Sequence, residues 1–242
     1  MSENKVIIKE EITYKEIFSL VDLLKSCSKN RDVHKGVRIH AHIVENHLLA
    51  KNPYLASSLI NMYVKCGALE DAFHLFQSLV SRSVYSWTAL INSYTECNNG
   101  QKALEMYGLM KKDCVEPNEF TFVSLLKACG NMRDLNTGRN IHADARRRGF
   151  ESDIFIGSTL VSMYGKCGAL SEAEHMFNAM THHDVVSWNA MLSSYVEQGK
   201  GQSALHLYRC MQSEGVSPDQ LTFMSSIQAC TILADVDLFM KK

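Results

Sequence analysis

Residues 153–180, DIFIGSTLVSMYGKCGALSEAEHMFNAM, and residues 184–211, DVVSWNAMLSSYVEQGKGQSALHLYRCM, share one outline. Each opens on a polar residue, runs an apolar stripe to a tyrosine, breaks at a short glycine-containing turn and closes a second stripe on methionine. In the second stretch Trp188, Met191, Leu192 and Tyr195 fall at helical spacing, and Gly199-Lys200-Gly201 interrupts them. Ala204, Leu205, Leu207, Tyr208 and Met211 then resume the stripe, and Gly215-Val216-Ser217-Pro218 turns the chain. The spacing predicts a helix A, a tight turn and a helix B. Neither helix can bury its stripe alone, so the hairpins must stack on one another.

The outline recurs along the chain. Cys66-Gly67-Ala68-Leu69 returns as Cys167-Gly168-Ala169-Leu170, and at the same offset of 101 residues Trp87 returns as Trp188, Pro117 as Pro218 and Cys129 as Cys230. The offset divides into units of 35, 31 and 35 residues. In that frame the units are 17–52, 53–83, 84–118, 119–153, 154–184 and 185–219, the first one residue longer than its counterpart. Residues 220–242 supply a further helix A and the beginning of another, so the array reads as cut rather than finished. Residues 1–16 fit the frame less well and read as an N-terminal segment or cap, with Ile12 to Phe18 a cap or remnant helix.

The totals agree with a helical array. Hydrophobic residues make up 46% of 242, enough to fold, and only 3 prolines punctuate them. The net charge of -1 counts against strong nonspecific binding to nucleic acid and leaves room for a local groove. Arg146, Arg147 and Arg148 form the one dense basic run, which reads as a solvated helix end. No two of the 8 cysteines are spaced CxxC, and several recur once per repeat in apolar stretches. That suits small packing residues in a reducing compartment. No apolar run reaches membrane-spanning length. The start MSENKVIIKEE reads as neither a secretory signal nor an organelle presequence, which suits a processed or trimmed fragment.

Several residues invite a chemical reading and a plainer one. Asn52, Ser83, Asn118, Asp153, Asp184 and Asp219 stand immediately before helix A, where N-capping alone would select Asn, Ser and Asp. Ser57, Thr88, Ser158 and Asn189 sit inside helix A, where a hydroxyl or amide gains nothing intrinsic, which favours a functional surface. Trp87 and Trp188, spaced helically with Leu90 and Met191, read as packing between hairpins, and Met110, Met180 and Met211 as core. Cys66 with His74 and Cys167 with His175 recur, yet each pair offers only two ligands, so no metal site follows. His182-His183 lacks a nucleophile or base partner, and no catalytic role follows for it.

These features resemble the pentatricopeptide repeat family, specifically its plant PLS subclass, in which long-variant (L), short (S) and ordinary (P) motifs alternate. FTFVSLLKACGNMRDLNTGRNIHADARRRGF (120–150) looks like an L motif, residues 153–180 like an S motif, and DVVSWNAMLSSYVEQG (184–199) opens a P motif. The resemblance runs from about residue 17 to the end. It implies L motifs at 17–52 and 119–153, S motifs at 53–83 and 154–184, P motifs at 84–118 and 185–219, and an incomplete seventh, L-type motif at 220–242. It also implies an all-α fold, a right-handed superhelical α-solenoid of stacked antiparallel helix-turn-helix hairpins. His40 and His142 belong to the L-motif signature and read as packing or a hydrogen bond to the second helix.

The resemblance further implies single-stranded RNA in a concave groove. The fifth and last residues of each motif select a base, and the second packs against it. The fifth positions are Val21, Ser57, Thr88, Val123, Ser158 and Asn189, and the last positions Asn52, Ser83, Asn118, Asp153, Asp184 and Asp219. The second positions are Phe18, Tyr54, Tyr85, Phe120, Phe155 and Val186, and the partial unit adds Leu221 at second and Met224 at fifth. Hydroxyl and amide groups can bond a base edge while apolar side chains stack on its faces. Thr88 with Asn118 resembles an adenine reader, Ser158 with Asp184 a guanine reader and Asn189 with Asp219 a uridine reader. Ser57 with Ser83 departs from the well-defined pairs. Val21 and Val123 lack side-chain hydrogen-bonding groups, which makes them and their partners Asn52 and Asp153 weak readers, with Met224. The implied target contains 5′-A-x-G-U-3′.

Subclass members commonly guide cytidine-to-uridine editing in plant organelles, with a C-terminal extension and a deaminase domain supplying the chemistry. The His-x-Glu and paired-cysteine pattern of that chemistry is missing here, so this chain is expected to bind RNA without being an enzyme, with no cofactor. The expected partners are RNA and a deaminase-bearing or other editing or splicing partner, in a mitochondrion or chloroplast, or in the cytoplasm for a non-targeted member. No membrane is expected, and an exposed end could drive self-association. The competing class is a helical-repeat adaptor or assembly scaffold that binds protein without RNA specificity.

Overall fold

The structure is a computed structural model that describes residues 3–49 and 52–240. Among these residues the regular elements are all helical. They are α1 (Glu3–Asn30), α2 (Val33–Glu45), α3 (Pro53–Lys65), α4 (Leu69–Ser78), α5 (Val84–Glu96), α6 (Gly100–Lys112) and α7 (Glu119–Met132). There follow α8 (Leu135–Arg147), a single 3-10 turn (Phe150–Ser152), α9 (Ile154–Lys166), α10 (Leu170–Ala179), α11 (Val185–Glu197), α12 (Gly201–Ser213) and α13 (Gln220–Met240). The odd-numbered helices are the A helices. From α3 onward each starts on the first position of a unit in the 35-31-35 frame.

The chain divides into two compact units, the first running to Cys97 and resuming over Lys102–Pro117. In it α3 packs between α1 and α5, while α2 lies against α1 and α3, and α4 against α3 and α5. The second unit takes Asn98–Gln101 and continues from Asn118. There α9 packs between α7 and α11, and α13 lies against α11. The B helices again bridge successive A helices: α8 joins α7 to α9, α10 joins α9 to α11, and α12 joins α11 to α13. Each unit is thus a stack of antiparallel hairpins, the construction of an α-solenoid.

The repeated Cys-Gly-Ala-Leu has a local cause. Gly67 and Gly168 take φ +82° and +76°, the left-handed region that ends a helix without steric cost only at glycine. The Gly67 amide donates to the Val64 carbonyl and the Ala68 amide to the Tyr63 carbonyl, both at 2.8 Å. Gly168 and Ala169 repeat the pattern on Gly165 and Tyr164 at 3.0 and 2.9 Å. This paired bonding satisfies carbonyls that the helix end would orphan and aims the chain into helix B.

Packing follows the predicted stripes. Trp87 and Trp188 are buried, each edge-on to the phenylalanine of the preceding B helix, Phe76 or Phe177. Met110 and Met211 are fully buried, and Met180 is half-buried. Gly36 and Gly138 sit where α2 and α8 meet the thioethers of Met62 and Met163, so that a Cβ at either would displace the methionine end. His40 and His142 join their B helices to the next A helix through Tyr63 and Tyr164, each Nδ1 lying 2.8 Å from the phenol oxygen.

Two stretches differ from the sequence expectation. α1 is continuous from Glu3, with no break at 16/17, and residues 1–16 contain neither Pro nor Gly to impose one. α13 runs unbroken to Met240 instead of stopping for a second helix. In its internal counterpart, α7 stops at Arg133, which has a positive φ of 54°. The matching residue in α13 is Ala234, the strongest helix former, and it stays helical.

Candidate nucleic-acid interface

The second position of every unit in the frame is a large apolar side chain left in solvent; from α3 onward it is the second residue of the A helix, and Phe18 lies within the longer α1. In the first unit these are Phe18, Tyr54 and Tyr85, and in the second Phe120, Phe155, Val186 and Leu221, all between 45% and 69% exposed. Tyr54 and Tyr85 lie with ring centroids 5.3 Å apart and planes tilted by 30°. Scattered exposed apolar residues need no explanation, but recurrence at one structural position in successive helices does. A few residues along the same helices, Trp87 and Trp188 are wholly packed, so the stack has apolar surface to bury and leaves these side chains outside it.

The residue before each of α3, α5, α7, α9, α11 and α13 caps it. Asn52 accepts from the Tyr54 amide at 2.8 Å, Ser83 from Ser86 at 3.3 Å and Asn118 from Thr121 at 3.0 Å. Asp153 accepts from Phe155 and Ile156 at 2.9 and 3.0 Å, Asp184 from Ser187 at 2.8 Å and Asp219 from Thr222 at 2.9 Å. The capping reading is therefore realised at all six positions. In Asp153, Asp184 and Asp219 the caps are made through Oδ1, which leaves capping and a contact through Oδ2 compatible.

The fifth positions are more enclosed than a solvent-facing row would be. Val21, Ser57, Thr88 and Val123 are half-buried, Ser158 and Asn189 are buried, and Met224 is exposed. The Ser158 hydroxyl donates to the Ile154 carbonyl of its own helix at 2.8 Å, and Ser57 to Tyr54 at 3.0 Å. Back-bonding of this kind satisfies a hydroxyl inside a helix without any ligand. Asn189 is held from outside its helix. Its Nδ2 donates to Asp219 Oδ1 at 2.9 Å, and its Oδ1 accepts from the Thr222 hydroxyl at 2.7 Å. The Thr222 amide bond and the Asn189 amide hold the Asp219 carboxyl below its ordinary range.

Sequence reasoning missed the third residue of these helices. Thr222 supports Asn189 and Asp219. Thr121 bonds Asn118 in a reciprocal capping box, and Ser86 and Ser187 bond the carbonyls of Ser83 and Asp184 at 2.9 and 2.8 Å. The signal was a hydroxyl residue three positions after four of the six caps, Ser83, Asn118, Asp184 and Asp219.

Charge around the helices is mostly internal. Arg146 pairs with Glu151 at 3.3 Å, and Arg147 and Arg148 share Asp144 at 3.3 and 3.5 Å, so two carboxylates offset most of the basic run in place. Lys25, Lys29 and Lys65 line an open groove with Ser58, Asn61 and Glu96 in the first unit, and Lys25 pairs with Asp22 at 3.3 Å. Burial pushes the Cys129 thiol up to about 12, and Cys27, Cys66 and Cys167 also rise, as packing thiols do. Among the described residues no group of three or more His, Cys, Asp or Glu could hold a metal ion, and no helix is long and apolar enough to cross a membrane.

Comparison with known proteins gives one answer. Sequence models of the PPR repeat family match residues 82–131 and 183–231, and of the PPR repeat residues 55–84 and 158–185. A chloroplastic pentatricopeptide repeat-containing protein of Arabidopsis thaliana is 37% identical over 220 residues, covering 91% of this chain and 35% of that protein. A mitochondrial one from the same plant is 37% identical over 222 residues, covering 91% of this chain and 34% of that protein. The chain thus spans about a third of the length of these relatives. The crystal structure of the maize pentatricopeptide repeat protein PPR10 superposes with a TM-score of 0.63 at 21% identity, covering 88% of this chain and 31% of that one. It shares the fold.

Proposed function

The chain belongs to the pentatricopeptide repeat family and is related to its plant members, and on that premise we propose that it binds single-stranded RNA, reading about one base per hairpin. One observation carries this reading: a solvent-exposed apolar side chain at the second position of every unit, from α3 onward two residues beyond a capping Asn, Ser or Asp. Such side chains stack on base faces of any sequence, while the neighbouring polar atoms select the edge.

In the second unit the register assigns a guanine to Ser158 with Asp184 and a following uridine to Asn189 with Asp219. The uridine reader is the better built. Asn189 and Asp219 bond each other, which leaves the second amide N–H and Asp219 Oδ2 for the O4 and N3–H of uracil. Val123 with Asp153 reads the base before them weakly, and Val21 with Asn52 does the same in the first unit. Ser57, Ser83, Thr88 and Asn118 are the remaining polar reading positions. Lys29 and Lys65, which outnumber Glu96 in the groove, offer the phosphates a modest local positive surface despite the neutral total.

The alternation of motif lengths supports membership of the PLS subclass. The chloroplastic and mitochondrial relatives support action in a plant organelle. Within it, the chain supplies the RNA-recognition part of a cytidine-to-uridine editing factor, with deamination performed by a domain or partner of the zinc-deaminase type. Selection from a randomised single-stranded RNA pool tests the reading. Enrichment of sequences containing G-U, with affinity falling as salt rises, is expected. A folded protein that retains no member of the pool, and instead captures peptide, is a helical-repeat adaptor.

A further inference from the structure

Arg82 precedes Ser83, and His183 precedes Asp184, 101 residues on, and both occupy the same cage. In the first unit the Arg82 guanidinium lies over the Phe76 ring, 5.3 Å from its centroid, and Phe76 meets Trp87 edge-on at 4.5 Å. Arg82 Nη1 pairs with Asp113 Oδ2 at 3.2 Å, and Nη2 donates to the Gln77 carbonyl at 3.4 Å. In the second unit the His183 ring stacks on Phe177 at 4.2 Å with planes 20° apart and lies 5.3 Å from Trp188, which meets Phe177 edge-on at 5.0 Å. His183 Nε2 donates to the Phe177 carbonyl at 2.9 Å, and Nδ1 faces Glu214 Oε2 at 3.7 Å.

The phenylalanines, the tryptophans and the carboxylates are each 101 residues apart, so the whole cage recurs with its occupant. An apolar residue would serve if packing alone mattered. Instead, two chemically different side chains, a long guanidinium and a short imidazole, both set a planar nitrogen group on the ring, donate to a carbonyl of the B helix and place a second nitrogen near a carboxylate. The carboxylate comes from the end of the next B helix: Asp113 follows α6, and Glu214 caps α12. The connector at 180–184 is thereby tied to α10, α11 and α12 at the residue before Asp184. The other charged or titratable residues on that connector are His182 and Asp184 themselves.

We propose that His183 is a positioning residue for RNA reading. By anchoring the connector it holds Asp184 where Oδ1 caps α11 and Oδ2 meets a base, as Arg82 does for Ser83. The proposal rests on the reading of Asp184 as a guanine selector. It is tested with His183→Ala and His183→Arg in the full chain, by two measurements. One is hydrogen exchange at the Ser187 amide, which Asp184 caps at 2.8 Å, without RNA. The other is the ratio of affinities for guanine over adenine at the Asp184 position.

Alanine is expected to speed Ser187 exchange about threefold or more and to shrink the guanine preference by a similar factor, a fraction of the effect of a lost cap. Arginine is expected to restore both. If the alanine variant does not fold, His183→Gln, which keeps a donor for the carbonyl but no ring, should show the same loosening. Unchanged Ser187 exchange overturns the proposal, and so does faster exchange with an unaltered base ratio. A wild-type protein indifferent to guanine at that position defeats the Asp184 reading instead, and the exchange rate still decides whether His183 holds the connector.

Discussion

Single side chains divide sharply between scaffold and surface. Phe155 and Trp188 are both aromatic and both in A helices, yet one is exposed and the other is packed against Phe177. Phe155→Ala should leave thermal stability within about 0.5 kcal/mol, as exposed substitutions do, and weaken RNA binding by about 1–3 kcal/mol, the worth of one base stack. Trp188→Ala should cost about 3–5 kcal/mol of stability through the cavity it leaves. Thermal melts beside anisotropy titrations check both. A Phe155→Ala protein that melts early and binds normally would contradict the division. The packed tryptophans were legible from helical spacing alone. The enclosure of Ser158 was not, because a serine that bonds its own helix at Ile154 looks in sequence like one that awaits a ligand.

Helices here are set by their ends. Capping at Asn52, Ser83, Asn118, Asp153, Asp184 and Asp219 was legible because the cap residue and the apolar run after it are adjacent in sequence. The bond from Asn189 to Asp219 was not, since it joins residues of different hairpins that only stacking brings together. The depressed Asp219 carboxyl carries a pH consequence. A carboxyl whose pKa is lowered on folding contributes stability that is present above its unfolded value of about 3.9 and is lost as pH falls through the lower folded value. The melting temperature should therefore drop on acidification through that window, and Asp219→Asn should flatten the drop. An identical pH profile in the two proteins would show that the cap carries no such linkage. At the other helix end, Arg133 holds a positive φ of 54° where Gly168 holds +76° in the following hairpin. Arg133→Gly should raise stability by about 1 kcal/mol, and Gly168→Ala should lower it by about the same amount, both read from denaturant midpoints. A loss of stability in Arg133→Gly would mean that its side chain contributes more than its backbone strain costs.

Across the molecule, repetition specifies the scaffold more fully than it specifies the message. The cap and the exposed apolar residue recur from hairpin to hairpin, while the fifth positions change from Val123 to Ser158 to Asn189 in consecutive units. Stability in such an array is a sum of local terms, and reading is distributed in the same way. An altered reader should therefore change one base preference without unfolding its neighbours. Asp184→Asn provides the most direct measurement, because aspartate and asparagine are equivalent caps and Ser187 can remain bonded to either. Affinities of the wild type and Asp184→Asn are compared on a pair of RNAs that differ only in guanine or adenine at that position. The wild type is expected to prefer guanine and the variant adenine, with melting temperatures that agree. Equal affinity of both proteins for both RNAs, with both folded, would contradict this and leave Asp184 as a helix cap alone.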